Sequence, residues 1–148
     1  MTNPTTRRDV ARAFAFVLIA SSLLVCGCLG GQPGNALYDT EVEVKEQKVA
    51  TFPIEVPRGN VLSIKVELTQ GKVADFVFIY ERDLSNYLDP QAQYSIIDKW
   101  STLNASKLDT QIYVDQTDSY IFMVDNTQRP LNGAGPNGII KAKVHIAL

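Results

Sequence analysis

From Thr40 to the last residue, apolar and polar side chains alternate in short runs separated by turn formers, and a period of two dominates the pattern. Val42 and Val44 alternate with Glu41, Glu43 and Lys45, which predicts a half-buried strand. Phe52, Ile54 and Val56 predict a second strand, closed by a Pro57-Arg58-Gly59-Asn60 turn. Leu62, Ile64, Val66 and Leu68 alternate with Ser63, Lys65, Glu67 and Thr69 in the clearest strand of all, and Gln70-Gly71-Lys72 turns the chain back. Ala74 to Tyr80 is almost continuously apolar and predicts a central strand covered on both sides.

Arg82 to Gln93 breaks this rhythm and predicts a long connection with one helical turn. Strand pattern is expected again at Tyr94 to Trp100, then at Leu108 to Val114 and at Ser119 to Asp125. Asn126 to Gly138, with Pro130, Pro136 and three glycines, is the longest irregular loop, and Ile140 to Leu148 alternates strongly as a final strand. About eight short strands without internal repeats predict an all-β fold, an antiparallel β-sandwich of jelly-roll or Greek-key type.

Ahead of this domain the pattern differs. An amino terminus carrying Arg7, Arg8 and Arg12 leads into the apolar run Ala13 to Val25 and then Cys26-Gly27-Cys28-Leu29-Gly30. As a helix the run measures about 20 Å, short of the roughly 30 Å hydrocarbon core, so it suits a secretory signal better than a permanent span. The segment resembles the leader of prokaryotic lipoproteins, in which a small residue before a cysteine permits cleavage and the cysteine carries a diacylglyceryl group. Gly27 is small whereas Val25 is β-branched, so the resemblance implies lipidation at Cys28 rather than Cys26. Two acyl chains provide the anchoring that one chain does not. The resulting expectation is a signal peptide over 1–27, a flexible tether over 28–39 rich in Gly, Pro and Asn, and a sandwich over 40–148 held at the outer face of the cytoplasmic membrane. An uncleaved hydrophobic helix is the alternative anchor. It would make the chain a subunit of a surface filament or secretion assembly.

Charge and cysteine usage then exclude several classes. Removing 1–27 takes away three arginines and Asp9 and shifts the formal net charge from −2 to −4, and the remaining Lys and Arg form no cluster with interleaved aromatics, which disfavours nucleic acid as a partner. Both cysteines lie in the leader, so the domain is expected to stand on packing without disulfides or thiol chemistry.

The series Phe52-x-Ile-x-Val-Pro-x-Gly, Leu62-x-Ile-x-Val-x-Leu, Asp75-Phe-Val-Phe-Ile and Asp118-Ser-Tyr-Ile-Phe-Met-Val-Asp-Asn126 resembles two related sandwich modules. One is the Golgi-dynamics (GOLD) domain; the other is the bacterial pre-peptidase C-terminal domain. The resemblance spans about residues 48 to 148 and implies an extracytoplasmic interaction module with no catalytic residues. A peptidase-associated module normally adjoins a protease domain, which this sequence does not contain.

Candidate chemistry is sparse. His145, the single histidine, alternates with Val144 and Ile146 and is expected on the polar face of the last strand. Hydrolase triads need an acid and a nucleophile converging on it, and no Gly-x-Ser-x-Gly elbow follows the leader. Asp115, Asp118, Asp125 and Asn126 are oxygen donors near turns, but their spacing departs from a calcium loop, so they are read as turn caps. No metal or cofactor is expected. Asn104-Ala105-Ser106 fits a glycosylation sequon. The loop from Asn126 to Gly138 is the expected recognition loop, offering Asn126, Arg129, Asn132 and Asn137. Tyr94 and Trp100 are expected in the core. Together these readings predict a noncatalytic binding module for an envelope protein or a glycan.

Overall fold

A computed structural model describes residues 35–148; the expected signal peptide, Cys28 and the first part of the expected tether lie outside them. The alternating pattern forms eight strands: β1 (Ala36–Val44), β2 (Lys48–Val56), β3 (Val61–Gln70), β4 (Ala74–Tyr80), β5 (Thr102–Ala105), β6 (Lys107–Tyr113), β7 (Asp118–Asn126) and β8 (Ile140–Ala147). A 3-10 turn, Glu81–Asp83, and the short helix α1, Leu84–Leu88, follow β4. No helix among the described residues is long and apolar enough to cross a membrane.

The strands make two antiparallel sheets, ordered β1-β8-β3-β6 and β2-β7-β4-β5. Successive strands β1 to β4 alternate between the sheets, as do β6 to β8, which is the double Greek key of a jelly roll. The period of two dictates the core: Leu62, Ile64 and Val66 from β3 and Ala142, Val144 and Ile146 from β8 meet Phe52, Ile54, Phe76, Phe78, Phe122 and Val124 from the facing sheet. Phe78 is the aromatic centre, 5.0 Å from Phe122 and 6.0 Å from Trp100 between ring centroids. Burying side chains of this size contributes about 1.5–3 kcal/mol each. Gly71 closes the β3–β4 turn at φ +96°, where a Cβ would stand 2.6 Å from Cγ2 of Ile140, so glycine is needed for both backbone conformation and space.

Two expected boundaries shift. β1 starts at Ala36, so residues 36–39 of the expected tether are strand: Tyr38 pairs with Ile146, stacks edge-on against Phe52 at 5.2 Å and donates its hydroxyl to the Pro53 carbonyl. The strand expected at Tyr94 to Trp100 is irregular chain ending in a turn, and the fifth strand comes later, at Thr102–Ala105. Its apolar spacing serves two clusters instead of one sheet face. Ile97 and Trp100 pack toward the core between the sheets, whereas Tyr94 and Ile96 pack on the outside. Ile97 gives its N–H to the Phe78 carbonyl at 2.7 Å, a single bond where a strand would build a ladder.

Candidate binding groove

The two outer sheet faces are unlike. On β1-β8-β3-β6, charges pair across neighbouring strands: Asp39 faces His145, His145 faces Lys65 and Lys65 faces Asp109, while Glu41, Lys143, Glu67 and Lys107 make the adjacent row. Opposite signs meet at Lys65–Asp109 and along the whole Glu41-Lys143-Glu67-Lys107 row, while Asp39 and Lys65 flank the His145 imidazole, and these polar side chains leave a hydrated face. His145 lies here, as its alternation predicts, with Nδ1 3.7 Å from Asp39.

On β2-β7-β4-β5 the outward residues Val77, Ile79, Ile121 and Met123 are apolar, and the β4–β5 connection is laid over them. Tyr87 from α1 reaches down to the sheet and gives its hydroxyl to Oδ2 of Asp125 at 2.5 Å; Tyr94 packs edge-on against it at 5.1 Å. Asp125 is fully buried, and its Oδ1 accepts the Thr127 N–H at 2.6 Å, a turn cap as its sequence context predicts. Burial pushes the Asp125 carboxyl above its ordinary value against the hydrogen bonds from Tyr87 and Thr127. Burial first, and then the Asp125 charge, raises Tyr87 so far that it remains a donor.

Asp75, directly across the ladder from Asp125, is also fully buried. It accepts the Asn104 N–H at 2.7 Å and the Ala134 N–H at 2.9 Å, tying β5 and the long loop to β4. A side chain at Gly133 would overlap this carboxylate, so glycine there admits the loop to Asp75.

The expected recognition residues divide into inward and outward groups. Asn126 is buried and bonds the Val44 and Gly138 carbonyls and the Asn137 N–H; Asn137 bonds the Val73 carbonyl. Arg129 is a clamp. Its guanidinium donates to the carbonyls of Tyr87 (2.8 Å), Asn86 (2.8 Å), Pro90 (3.1 Å) and Ala92 (3.3 Å) and lies 4.4 Å from the Tyr94 ring centroid. Tyr94 returns a hydroxyl bond to the Arg129 carbonyl. Asn132 is exposed at the loop tip with φ +64°. Asn104 of the sequon is exposed on β5 with φ +57°. Asp118 caps the Ser119 N–H and pairs with Arg82 at 3.1 Å. It sits at the opposite end of β7 from Asp125, roughly 23 Å away at strand rise, so these oxygens do not converge on one ion.

The clamped connection, the β1–β2 turn and the start of the long loop enclose a groove of about 1260 Å³. Val49, Tyr94, Ile96 and Leu103 line it, and Leu88 and Leu131 stand at its margin, 52% and 83% exposed. Asp75, Tyr87, Leu88 and Leu131 were not among the expected site residues. An acid inside the apolar run of β4 was the available signal for Asp75, since a carboxylate on a strand covered from both sides must find donors. Leu88 and Leu131 carry no such mark in the sequence.

No known family model matches this sequence, and no curated protein matches it. Among solved structures, the chain is similar to the Aeromonas hydrophila periplasmic inhibitor of g-type lysozyme, PliG, with 10% identity over 81% of this chain and 91% of that one and a TM-score of 0.47. It is also similar to the pre-peptidase C-terminal domain of a Bacillus anthracis collagenase, with 14% identity over 72% of this chain and 88% of that one and a TM-score of 0.38. Neither likeness bears on the groove.

Proposed function

We propose that this chain is a noncatalytic, extracytoplasmic binding module, held at the membrane by a diacylglyceryl group on Cys28, that receives an apolar segment of an envelope protein in the groove beside α1. The observation that carries this reading is the pair of exposed leucines, Leu88 and Leu131, at the margin of a groove whose mixed lining includes Val49, Tyr94, Ile96 and Leu103. Exposed leucines at the mouth of a groove favour contact with an apolar protein segment. A glycan is a poorer fit, because sugar rings pack on free aromatic faces, whereas Tyr94 is engaged by Arg129 and Tyr87. The buried polar groups beneath the groove serve the fold: the oxygens of Asp125 and Asp75 receive internal donors, and the Arg129 guanidinium is spent on backbone carbonyls. His145 is on the other sheet.

Leu131→Glu tests the groove. Its side chain is exposed, so stability should change by less than about 0.5 kcal/mol, while affinity for the partner should fall at least about tenfold. Pulldowns from solubilised envelope should recover a protein with the unaltered chain and with a Lys65→Glu control on the other sheet, but not with Leu131→Glu. Equal recovery by all three would refute the groove as the contact.

The anchor is tested separately by intact mass spectrometry of the membrane-extracted protein. A chain beginning at Cys28 with a diacylglycerol-sized increment is expected, and Cys28→Ser should move the protein out of the membrane fraction. Retention of Met1 together with membrane association of Cys28→Ser would favour the helix-anchored assembly subunit instead.

A further inference from the structure

A two-sheet sandwich has four edges, and three of them here carry features that discourage strand addition. β1 has a register irregularity between Ala36 and Tyr38 and presents Asp39, Glu41 and Glu43. β2 has Pro53 at its middle, and β5 is four residues long with Asn104 in the left-handed region. β6 is the exception. Its seven residues contain no proline, glycine or irregular register, its two charges, Lys107 and Asp109, are of opposite sign, and among the described residues it pairs with β3 alone.

The flanking bonds fix which backbone groups β6 leaves open. Val114 gives its N–H to the Asn60 carbonyl, and Leu68 gives its N–H to the Ser106 carbonyl, so even-numbered residues on this side of the ladder face β3. Bonded and unbonded pairs alternate in antiparallel strands, so the N–H and C=O groups of Lys107, Asp109, Gln111 and Tyr113 point away from the sheet.

We propose that β6 pairs antiparallel with β6 of a second copy about a twofold axis at Thr110, joining two sheets into one. In this register Lys107 stands opposite Tyr113 of the second copy, and Asp109 opposite Gln111. The ammonium meets an aromatic ring, Tyr113 being 63% exposed in the single chain, and the carboxylate meets an amide donor. On the other face Leu108 meets Ile112, extending the apolar core across the junction. All four outward-facing residues are paired. Moving the register by one bonded step toward the start of β6 brings Asp109 against its own copy, so like charges disfavour that slip. The contact is isologous and closed, as a twofold dimer requires. It lies on a different sheet from the groove and stands independently of the proposed function.

Sedimentation of the full chain in density-matched detergent should give the mass of two chains. Gln111→Pro removes an N–H that no strand among the described residues accepts, a substitution edge strands tolerate, and should give a single-chain mass with an unchanged circular dichroism spectrum. Thr110→Cys supplies a test that does not depend on proline folding. Facing Cα atoms of an unbonded pair lie about 4.5 Å apart, within disulfide range. Mild oxidation in membranes should therefore yield a covalent dimer beyond any that Lys99→Cys or the unaltered chain, with its own Cys26 and Cys28, gives. A single-chain mass at the highest soluble concentration, a dimer that survives in folded Gln111→Pro, or absence of the Thr110→Cys product would overturn the proposal.

Discussion

Asp125→Ala is expected to cost about 2–4 kcal/mol, because it strips the acceptor from the buried Tyr87 hydroxyl and the Thr127 N–H and leaves both without a partner. Equilibrium urea unfolding measures the loss. Tyr87→Phe alone should cost less, since it removes a donor and leaves Asp125 with the Thr127 bond. The double variant should fall short of the sum of the two, because both changes break the same contact. Asp125→Asn separates charge from shape. Burial raises the carboxyl of Asp125, so the folded protein holds that proton to higher pH than the unfolded chain does. The stability contributed by the proton is full below the ordinary value of 3.8 and is lost as pH rises through the raised folded-state value. The stability of the natural protein relative to Asp125→Asn should therefore fall as pH is raised from about 4 toward neutrality. A difference that is flat or rising over that range would show that Asp125 is not held in the disfavoured charged form.

This buried pair also shows why much of the fold was readable in the sequence and most of the groove was not. Period-two alternation reports which residues share a sheet face, and in β3, β6 and β8 it gave both the strand and the inward set, since each of these strands has a wet side and a dry side. β4 and β7 are buried on both sides, so their apolar runs announce central strands and conceal the fact that Phe76 and Val77 serve different clusters. For the same reason Tyr94 to Trp100 looked like a strand: residues alternating between two clusters have the spacing of residues alternating across a sheet. The long loop was recognisable from its prolines and glycines. The inward commitment of Asn126, Arg129 and Asn137 depends on carbonyls of segments remote in sequence, from Val44 to Ala92, and no local pattern encodes those partners.

Arg129→Ala should be the most damaging change at the groove itself, costing about 2–3 kcal/mol and loosening the wall more than the sandwich. Four carbonyls of the segment from Asn86 to Ala92 converge on one guanidinium, and without it they face one another around a vacated space with only water to satisfy them. The neighbouring carbonyl dipoles then repel, and α1 loses the cross-link that presses Tyr87 onto the sheet. Arg129→Lys should restore little, because three donors on a rotating ammonium do not reproduce a planar fork directed at four fixed acceptors, nor its stacking on Tyr94. Hydrogen exchange distinguishes this local effect from global loss. Amides of α1 and of residues 89–98 should exchange faster in Arg129→Ala by considerably more than those of β3 and β8, which pair in the opposite sheet. Uniform acceleration across both sheets would mean that the clamp supports the whole sandwich, and unchanged exchange in the connection would mean that the apolar contacts of Tyr87, Tyr94 and Ile96 hold the groove wall without it.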